Sequence, residues 1–136
     1  MNFFRLFWVA ILCAALSGAW AQVQSTDSLA LVALYNSTGG PNWFRNWDLT
    51  QPVGTWHGIT IDAVRRRVNQ VDLSSNNLVG TLPDLALPDL VRLNLGYNTL
   101  SGALPTFSSV PRLQFLSLRN NQFSSGLTDW TSMPLL

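Results

Sequence analysis

Few residues of this chain carry the side chains that enzyme chemistry requires. His57 is the only histidine, Cys13 is the only cysteine, and every charged residue is an arginine or an aspartate. A single imidazole without a second histidine or a cysteine makes a poor metal site. The sequence also has no glycine-rich phosphate loop and no nucleophile elbow. We therefore expect no catalytic residue, no metal and no cofactor, and a surface or capping role for His57.

The charge balance argues against nucleic acid as a partner. The formal net charge is +1 at pH 7, from 8 basic and 7 acidic residues, and no basic patch of the kind that binds phosphate backbones is present. The only run of charges is Arg65-Arg66-Arg67. Three arginines flanked by apolar positions are expected to decorate a hairpin rather than to bind phosphate.

A repeated phrase organises the second half of the chain. The pattern apolar-Pro-x-Leu ends at Leu90, Leu113 and Leu136, which are equally spaced, and the step from Val68 to Leu90 is shorter by a single position. A fixed period of about 20–50 residues indicates a solenoid, in which each unit packs only against its neighbours. Residues 68–136 then hold three units and the start of a fourth. Because the sequence stops there, we expect it to be truncated, as part of a longer protein.

Each unit has apolar residues, mostly leucines, in the same order, and an asparagine at the same place. Leucines at the first, fourth and sixth places are expected to point into the coil, where full burial of each contributes about 1.5–3 kcal/mol. Asn76, Asn98 and Asn121 recur where the chain turns away from the strand. Because an amide donates and accepts hydrogen bonds at once, we expect these asparagines to form a structural ladder on the backbone of adjacent coils.

The residues between the leucines are the candidates for recognition. The third, fifth, seventh and eighth places of each unit are predicted to share one concave face, made of Gln70, Asp72, Ser74, Ser75, Arg92, Asn94, Gly96, Tyr97, Phe115, Ser117, Arg119 and Asn120. Aromatic residues and arginines are frequent binding anchors. The candidate ligand-binding residues are Arg92, Asn94, Tyr97, Phe115, Ser117 and Arg119. The alternative is that this face binds nothing in particular, since a solenoid must expose some face to solvent.

Residues 22–67 are predicted to form an N-terminal cap. Ser25-Thr26-Asp27 offers helix-capping oxygens, a helix with one apolar face follows, and Gly39-Gly40-Pro41 stops it. Residues 57–61 and 67–73 are predicted as two strands joined by a loop.

The cap also contains a cluster of Trp43, Trp47 and Trp56. Exposed tryptophans could stack on carbohydrate rings. A solenoid's first coil, however, has no neighbour to cover it. We therefore favour a lid over a sugar-binding platform.

Residues 1–21 have the composition of a secretory signal peptide. Arg5 precedes an apolar run of about a dozen residues, and Ala19-Trp20-Ala21 supplies small residues for cleavage. The alternative is an uncleaved membrane anchor, but the run is shorter than the roughly 20 residues that span a bilayer. We expect cleavage after Ala21 and a secreted or cell-surface protein that lacks cysteine. Asn36 begins an Asn-Ser-Thr sequon and is a candidate glycosylation site.

The second unit resembles the plant-type class of the leucine-rich repeat family. It follows the order Leu90-x-x-Leu93-x-Leu95-x-x-Asn98-x-Leu100-x-Gly102-x-Leu104-Pro105. The region around Trp56-His57-Gly58-Ile59 is similar to the N-terminal cap of that family, which bacterial secreted repeat proteins also have. In plant versions cysteines flank this segment, whereas Gly54 and Ile61 stand near those places here.

The resemblance implies an α/β solenoid. Its expected form is a leucine-rich repeat horseshoe with parallel β-strands on the concave face and a cap made of a helix and a hairpin. The function expected is a non-catalytic, exported recognition module that binds a protein, peptide or glycan through the concave face. Two alternatives stay open: the N-terminal ectodomain fragment of a larger membrane receptor, such as a receptor kinase, and a passive cell-surface or matrix component. A membrane contact is expected only if sequence beyond Leu136 carries a span.

Overall fold

The computed structural model describes Val23 and residues 25–125. One helix, α1 (Ser25–Ser37), is followed by two short 3-10 helices, Gly40–Asn42 and Val53–Thr55. The strands of the described part are β1 (Ile59–Ile61), β2 (Val68–Asp72), β3 (Val79–Thr81), β4 (Arg92–Asn94), β5 (Thr99–Gly102), β6 (Phe115–Ser117) and β7 (Gln122–Phe123). The predicted signal peptide and the start of the fourth repeat lie outside the described residues.

The strands form two sheets with the orders β1-β2-β4-β6 and β3-β5-β7. β1 and β2 pair as an antiparallel hairpin, and the other neighbouring strands are parallel. Gln70 lies opposite Arg92, and Arg92 lies opposite Phe115, so the strands follow the predicted repeat steps. The predicted α/β solenoid with parallel strands is confirmed.

Leucines of successive repeats fill the interior between the two sheets. The first, fourth and sixth positions are fully buried in the first two repeats, at Val68, Val71, Leu73, Leu90, Leu93 and Leu95. In the third repeat Leu113 is buried, while Leu116 and Leu118 are partly buried and pack against the same core. This core also includes Leu31 and Leu34 of α1, so the helix covers the first repeat.

The sheet of β3, β5 and β7 is a feature that the leucine spacing does not predict. Its strands are short and follow the repeat asparagines. Gly80 and Gly102 lie within them at φ values of 127° and 77°, and glycine is usually unfavourable inside a strand. Parallel pairing with the next repeat nevertheless keeps these glycines within strands.

The helix begins at Ser25, so Asp27 lies inside its first turn rather than at its cap. The capping prediction for Asp27 is wrong, because this side chain is fully buried and bonds to the repeats instead. Its Oδ2 accepts a hydrogen bond of 2.8 Å from the backbone N–H of Val68, and its Oδ1 lies 2.7 Å from Nη2 of Arg67. Arg65 and Arg66 are exposed in the hairpin turn as expected. Arg67 instead joins α1 to β2.

The helix ends where the glycines predict. Ser37 is its last residue, and Gly39 follows with φ 69° and ψ 41°, a left-handed conformation that glycine adopts without a side-chain clash. Gly40 is packed against the ring of Tyr35, where a Cβ would collide with the ring atoms. This turn directs the chain into the tryptophan-rich loop and then back towards the first repeat.

Candidate ligand-binding face

Residues predicted for the concave face line the four-stranded sheet in two rows. The first row is Gln70, Arg92 and Phe115, and the second is Asp72, Asn94 and Ser117. In a strand successive side chains point to opposite faces, and here the residues between the two rows are the core positions Val71, Leu93 and Leu116. The two rows therefore lie on the side of the sheet that faces away from the core.

In the first row, Arg92 lies over the ring of Phe115. The guanidinium carbon is 3.8 Å from the ring centroid, which is a favourable cation–π distance. Phe115 keeps 38% of its surface exposed. Within the described residues no carboxylate lies within ion-pair distance of Arg92. The stacked guanidinium is therefore held in place while its N–H groups stay available to an external acceptor.

A second arginine lies over an aromatic ring beyond the ends of β4 and β6. The guanidinium carbon of Arg119 is 4.7 Å from the centroid of Tyr97, and Tyr97 is 47% exposed. Gly96 is buried, contrary to the expectation that it contributes surface to the face. A Cβ at Gly96 would lie 3.2 Å from Cγ of Arg119, so the absent side chain leaves room for the arginine stem to reach Tyr97.

The last residue before each repeat asparagine adopts a left-handed conformation. Ser75, Tyr97 and Asn120 have φ values of 53°, 57° and 55°. Such values carry a steric cost for residues other than glycine, and backbone bonds between repeats hold them in place. The N–H of Ser75 donates to the carbonyl of Gly96 at 3.0 Å, and that of Tyr97 donates to the carbonyl of Arg119 at 2.9 Å. This turn places the Tyr97 ring at the end of the face.

Asp72 is the acidic residue of the face, and its carboxylate is occupied by neighbours. Its Oδ1 accepts hydrogen bonds from the hydroxyl and the N–H of Ser74 at 2.7 and 3.2 Å, and its Oδ2 accepts one from Nδ2 of Asn94 at 3.1 Å. Partial burial raises the pKa of Asp72, but these bonds and the charge of Arg92 outweigh it and hold the pKa below 3.8. Within the described residues, the face therefore offers two arginines without an ion-pair partner beside one satisfied carboxylate.

The asparagine of the second repeat bonds to backbone groups of two coils. Oδ1 of Asn98 accepts hydrogen bonds from the N–H groups of Asn76 and Leu78, both at 3.0 Å. Its Nδ2 donates to the carbonyls of Leu73 and Leu95 at 2.9 and 3.0 Å. The amide thus satisfies donors and acceptors that the turn leaves without strand partners.

The other two asparagines bond in the same manner. Oδ1 of Asn121 accepts from the N–H of Leu100 at 2.9 Å, and its Nδ2 donates to the carbonyl of Leu95 at 2.9 Å. Asn76 has the cap as its neighbour, and its side chain bonds to both backbone groups of Arg45, at 2.7 Å to the N–H and 3.3 Å to the carbonyl. The geometry is that of a ladder which extends into the cap.

A polar cleft lies where the cap meets the concave face. Its volume is about 390 Å³, and it is lined by Arg45, His57, Gly58, Asp72, Ser74 and Ser75. Nη1 of Arg45 is 3.5 Å from Nε2 of His57. The sequence predicts only a surface or capping role for His57. Its place beside Arg45 has no signal in the sequence, because separate segments supply the lining. We call this site the junction cleft.

The tryptophan cluster is buried and does not form a binding platform. Trp43, Trp47 and Trp56 are only 4%, 4% and 5% exposed. The centroids of Trp47 and Trp56 are 4.8 Å apart in a stacked pair, and Trp43 packs edge-on against Trp47 at 4.9 Å. Their indole N–H groups donate to backbone carbonyls at 2.9 to 3.1 Å. Rings with so little exposed surface offer no platform for stacking on a sugar, and the arrangement is that of a lid.

A larger groove lies on the cap, between α1 and the loop at residues 49–56. Its volume is about 950 Å³, and its main apolar side chains are Leu29, Val32, Leu49, Val53 and Trp56. Among the described residues that line the groove, none is charged. Its polar groups are the hydroxyls and the amide of Ser25, Ser28, Thr50, Gln51 and Thr55. None of the predicted site residues lines the groove, so the candidate site remains the concave face.

Other features of the cap and repeats bear on modification and metal binding. Asn36 is exposed near the end of α1, whereas Thr38 of the same sequon is buried and donates its hydroxyl to the carbonyl of Leu34 at 2.6 Å.

Within the described part of the chain, no group of three potential ligands could hold a metal ion. No helix in that part is long and apolar enough to cross a membrane.

Comparisons with known proteins agree with this geometry. The family model described as Leucine Rich Repeat matches residues 112–133. Receptor-like protein kinase 7 of Arabidopsis thaliana is 31% identical over 140 residues, which cover 97% of this chain and 14% of that protein. The chain therefore spans only a small part of the length of this relative.

Two solved structures from Arabidopsis are similar to the chain. The leucine-rich repeat ectodomain of the receptor kinase SOBIR1 has a TM-score of 0.68 at 26% identity, covering 86% of this chain and 66% of that one. The ectodomain of the receptor kinase HAESA, solved with an N-terminally extended IDA peptide hormone ligand, has a TM-score of 0.59 at 30% identity. That match covers 71% of this chain and 17% of HAESA.

Proposed function

The chain belongs to the leucine-rich repeat family, and on that premise we propose that it is the peptide-binding, non-catalytic part of an extracellular receptor-like protein. The observation that carries this proposal is the pair of arginines stacked on aromatic rings, Arg92 on Phe115 and Arg119 on Tyr97. Relatives named as receptor kinases, and the peptide bound to the HAESA ectodomain, support it. These observations favour a receptor ectodomain over a passive cell-surface or matrix component.

A peptide is the ligand whose chemistry matches the order of groups on the face. The two stacked pairs offer guanidinium N–H donors for carboxylate or carbonyl oxygens, together with ring edges for apolar side chains. Asn94 and Ser117 lie in the row between them. Asn94 already donates one amide N–H to Asp72, so its second N–H and the Ser117 hydroxyl are the groups left for a peptide backbone. An extended chain presents all of these partners in alternation. A glycan has less support, because the tryptophans that could stack on sugar rings are buried.

We also propose that the protein reaches this location through export and loses residues 1–21. The composition of that segment supports the proposal, and the peptide-binding role requires it. Mass spectrometry of the exported protein should find Gln22 at the N-terminus. Detection of Met1 or Cys13 in that protein would contradict cleavage after Ala21.

The class of ligand can be tested by parallel selection. The chain, immobilised through its C-terminus, would be exposed to a displayed library of random peptides and to a glycan array. We expect enrichment of peptides that share a motif, with binding that saturates in solution, and no comparable glycan signal. Saturable glycan binding alone would replace the peptide by a sugar ligand. Absence of saturable binding in both screens would favour the passive component.

A further inference from the structure

We propose that the junction cleft is a binding site for a carboxylate group, and that it receives a carboxylate of the peptide bound on the concave face. The carboxylate site itself is independent of the proposed function, whereas the peptide as the source of the carboxylate rests on that function. The carboxylate could come from the C-terminus of the peptide or from an acidic side chain. The site chemistry is the same for both.

The wall of the junction cleft that carries Arg45 comes from two loops of the cap. Arg45 and His57 place their side chains together, with Nη1 of Arg45 at 3.5 Å from Nε2 of His57. In the described part of the chain, no carboxylate oxygen lies within ion-pair distance of Arg45. A guanidinium in a cleft without an acidic partner is suited to a planar, two-oxygen anion, which it can bind through two parallel hydrogen bonds.

The opposite wall comes from the end of β2, and its carboxylate forms no ion pair with Arg45. Asp72 lines this wall, but Oδ1 already accepts from Ser74 and Oδ2 from Asn94. Ser75 adds an exposed hydroxyl to the lining. The Arg45 guanidinium and the Ser75 hydroxyl are therefore the donors that the cleft leaves to a ligand, and a carboxylate can accept from both.

Arg45 and His57 have backbones that are fixed before a ligand binds. The side chain of Asn76 bonds to the N–H of Arg45 at 2.7 Å and to its carbonyl at 3.3 Å. The carbonyl of His57 accepts a hydrogen bond of 2.9 Å from Nε1 of the buried Trp47. Fixed positions reduce the ordering cost of binding. The first rung of the asparagine ladder thus also positions the cleft.

The junction cleft is continuous with the concave face through Asp72. This residue lines the cleft, and it also stands in the second row of the face, where its Oδ2 accepts from Asn94. A peptide that contacts Arg92 on the neighbouring strand can extend past Asp72 into the cleft. The inference therefore specifies a ligand with a carboxylate at the end that lies over the cap.

The first experiment tests the cleft without any peptide. His57 is the only histidine, so its ring signals in an NMR spectrum are unambiguous reporters. Sodium acetate would be titrated into the intact chain against sodium chloride at equal ionic strength. We expect a saturable shift with acetate only, lost in Arg45→Gln and retained in Arg66→Gln. Arg66 is a matched control because it is an exposed arginine in the hairpin turn. Equal responses to both salts, or an unchanged acetate response in Arg45→Gln, would overturn the proposal.

The second experiment connects the cleft to the peptide and distinguishes the two sources of the carboxylate. A peptide selected on the chain would be compared with its C-terminal amide and with versions whose acidic residues are replaced by Asn or Gln. One of these changes should weaken binding at least tenfold in the unmodified chain and have little effect in Arg45→Gln, as a coupled pair requires. Equal effects in both proteins would refute the cleft as the peptide's carboxylate site. The peptide-binding role itself would fail only if no peptide bound the unmodified chain.

Discussion

Arg92 and Phe115 are adjacent on neighbouring parallel strands, and the guanidinium carbon of Arg92 lies 3.8 Å from the centre of the Phe115 ring. The repeat period causes this contact, because residues at the same place in consecutive units become neighbours across the sheet. Arg119, at the seventh place of its unit, contacts Tyr97 at the eighth place of the preceding unit. The solenoid therefore assembles its candidate anchors from separate repeats, and each repeat contributes both to the core and to the face.

The asparagine ladder should make a large contribution to stability. Replacing Asn98 by alanine leaves the N–H groups of Asn76 and Leu78 and the carbonyl of Leu73 without their side-chain partner. Because each buried polar group left unpaired costs about 1–3 kcal/mol, we expect Asn98→Ala to lower the free energy of unfolding by about 2–4 kcal/mol in urea titrations. Asn36→Ala at an exposed helical position is the control. Equal effects of the two changes would argue against the ladder.

The buried ion pair between α1 and β2 should hold the cap on the repeats. Asp27→Ala removes the partner of both Arg67 and the Val68 N–H, and breaking such a buried pair typically costs about 3–5 kcal/mol. Asp89→Ala is the matched control, since Asp89 pairs with Arg65 and Arg112 near the surface, where such pairs contribute about 0–1 kcal/mol. In thermal unfolding, Asp27→Ala should lower the melting temperature much more than Asp89→Ala does. Similar melting temperatures would mean that the helix is held by apolar packing alone.

Gly58 should tolerate no side chain. Its φ is 79°, and a Cβ there would collide with the backbone oxygen of Asp72 on the paired strand. The left-handed conformation alone costs about 1–2 kcal/mol for other residues, so Gly58→Ala should lower the free energy of unfolding by more than that. At Gly54 the nearest atom to a Cβ is the flexible end of Ile61, at 3.2 Å. In chemical denaturation, Gly54→Ala should therefore lower the free energy of unfolding only slightly. An equally small loss for Gly58→Ala would show that the hairpin can shift to make room.

Asp72 should make stability depend on acid pH. Its pKa is lowered in the folded chain from 3.8, because the hydrogen bonds from Ser74 and Asn94 and the charge of Arg92 together outweigh partial burial. Because the pKa is lowered by folding, Asp72 contributes its full stabilisation at pH values above 3.8. This stabilisation is lost as the pH falls through the pKa that Asp72 has in the folded chain. The stability difference between the unmodified chain and Asp72→Asn, measured by urea titration, should therefore shrink between pH 7 and pH 3. A difference that stays constant over that range would exclude this linkage.

The periodic features of the chain could be predicted because each repeat packs the same positions into the core. The repeat steps predict the strand register, and the leucine positions predict the buried face of β2 and β4. The predicted anchors Arg92, Phe115, Tyr97 and Arg119 follow from the same register. The register does not predict that the arginines stack on the aromatic rings, because it places residues side by side but does not determine their side-chain torsions.

The features that were not predicted join segments with no common period. Asp27 reads as a helix cap because aspartate is frequent there, and its partner Arg67 reads as a surface charge. Only tertiary packing reveals that the two side chains form an ion pair. The junction cleft has the same character, because Arg45 and His57 belong to two separate loops of the cap and Asp72 to a repeat. Neither spacing nor composition relates these positions.

The most direct test of peptide recognition is the affinity of a selected peptide for the double variant Arg92→Gln/Arg119→Gln, measured by calorimetry. Hydrogen bonds to charged groups contribute about 1.5–3 kcal/mol each, so loss of both guanidinium groups should weaken binding at least a hundredfold. Arg66→Gln, which removes one positive charge away from the face, should leave the affinity within about twofold. An unchanged affinity in the double variant, with its folding confirmed by circular dichroism, would contradict recognition through the concave face.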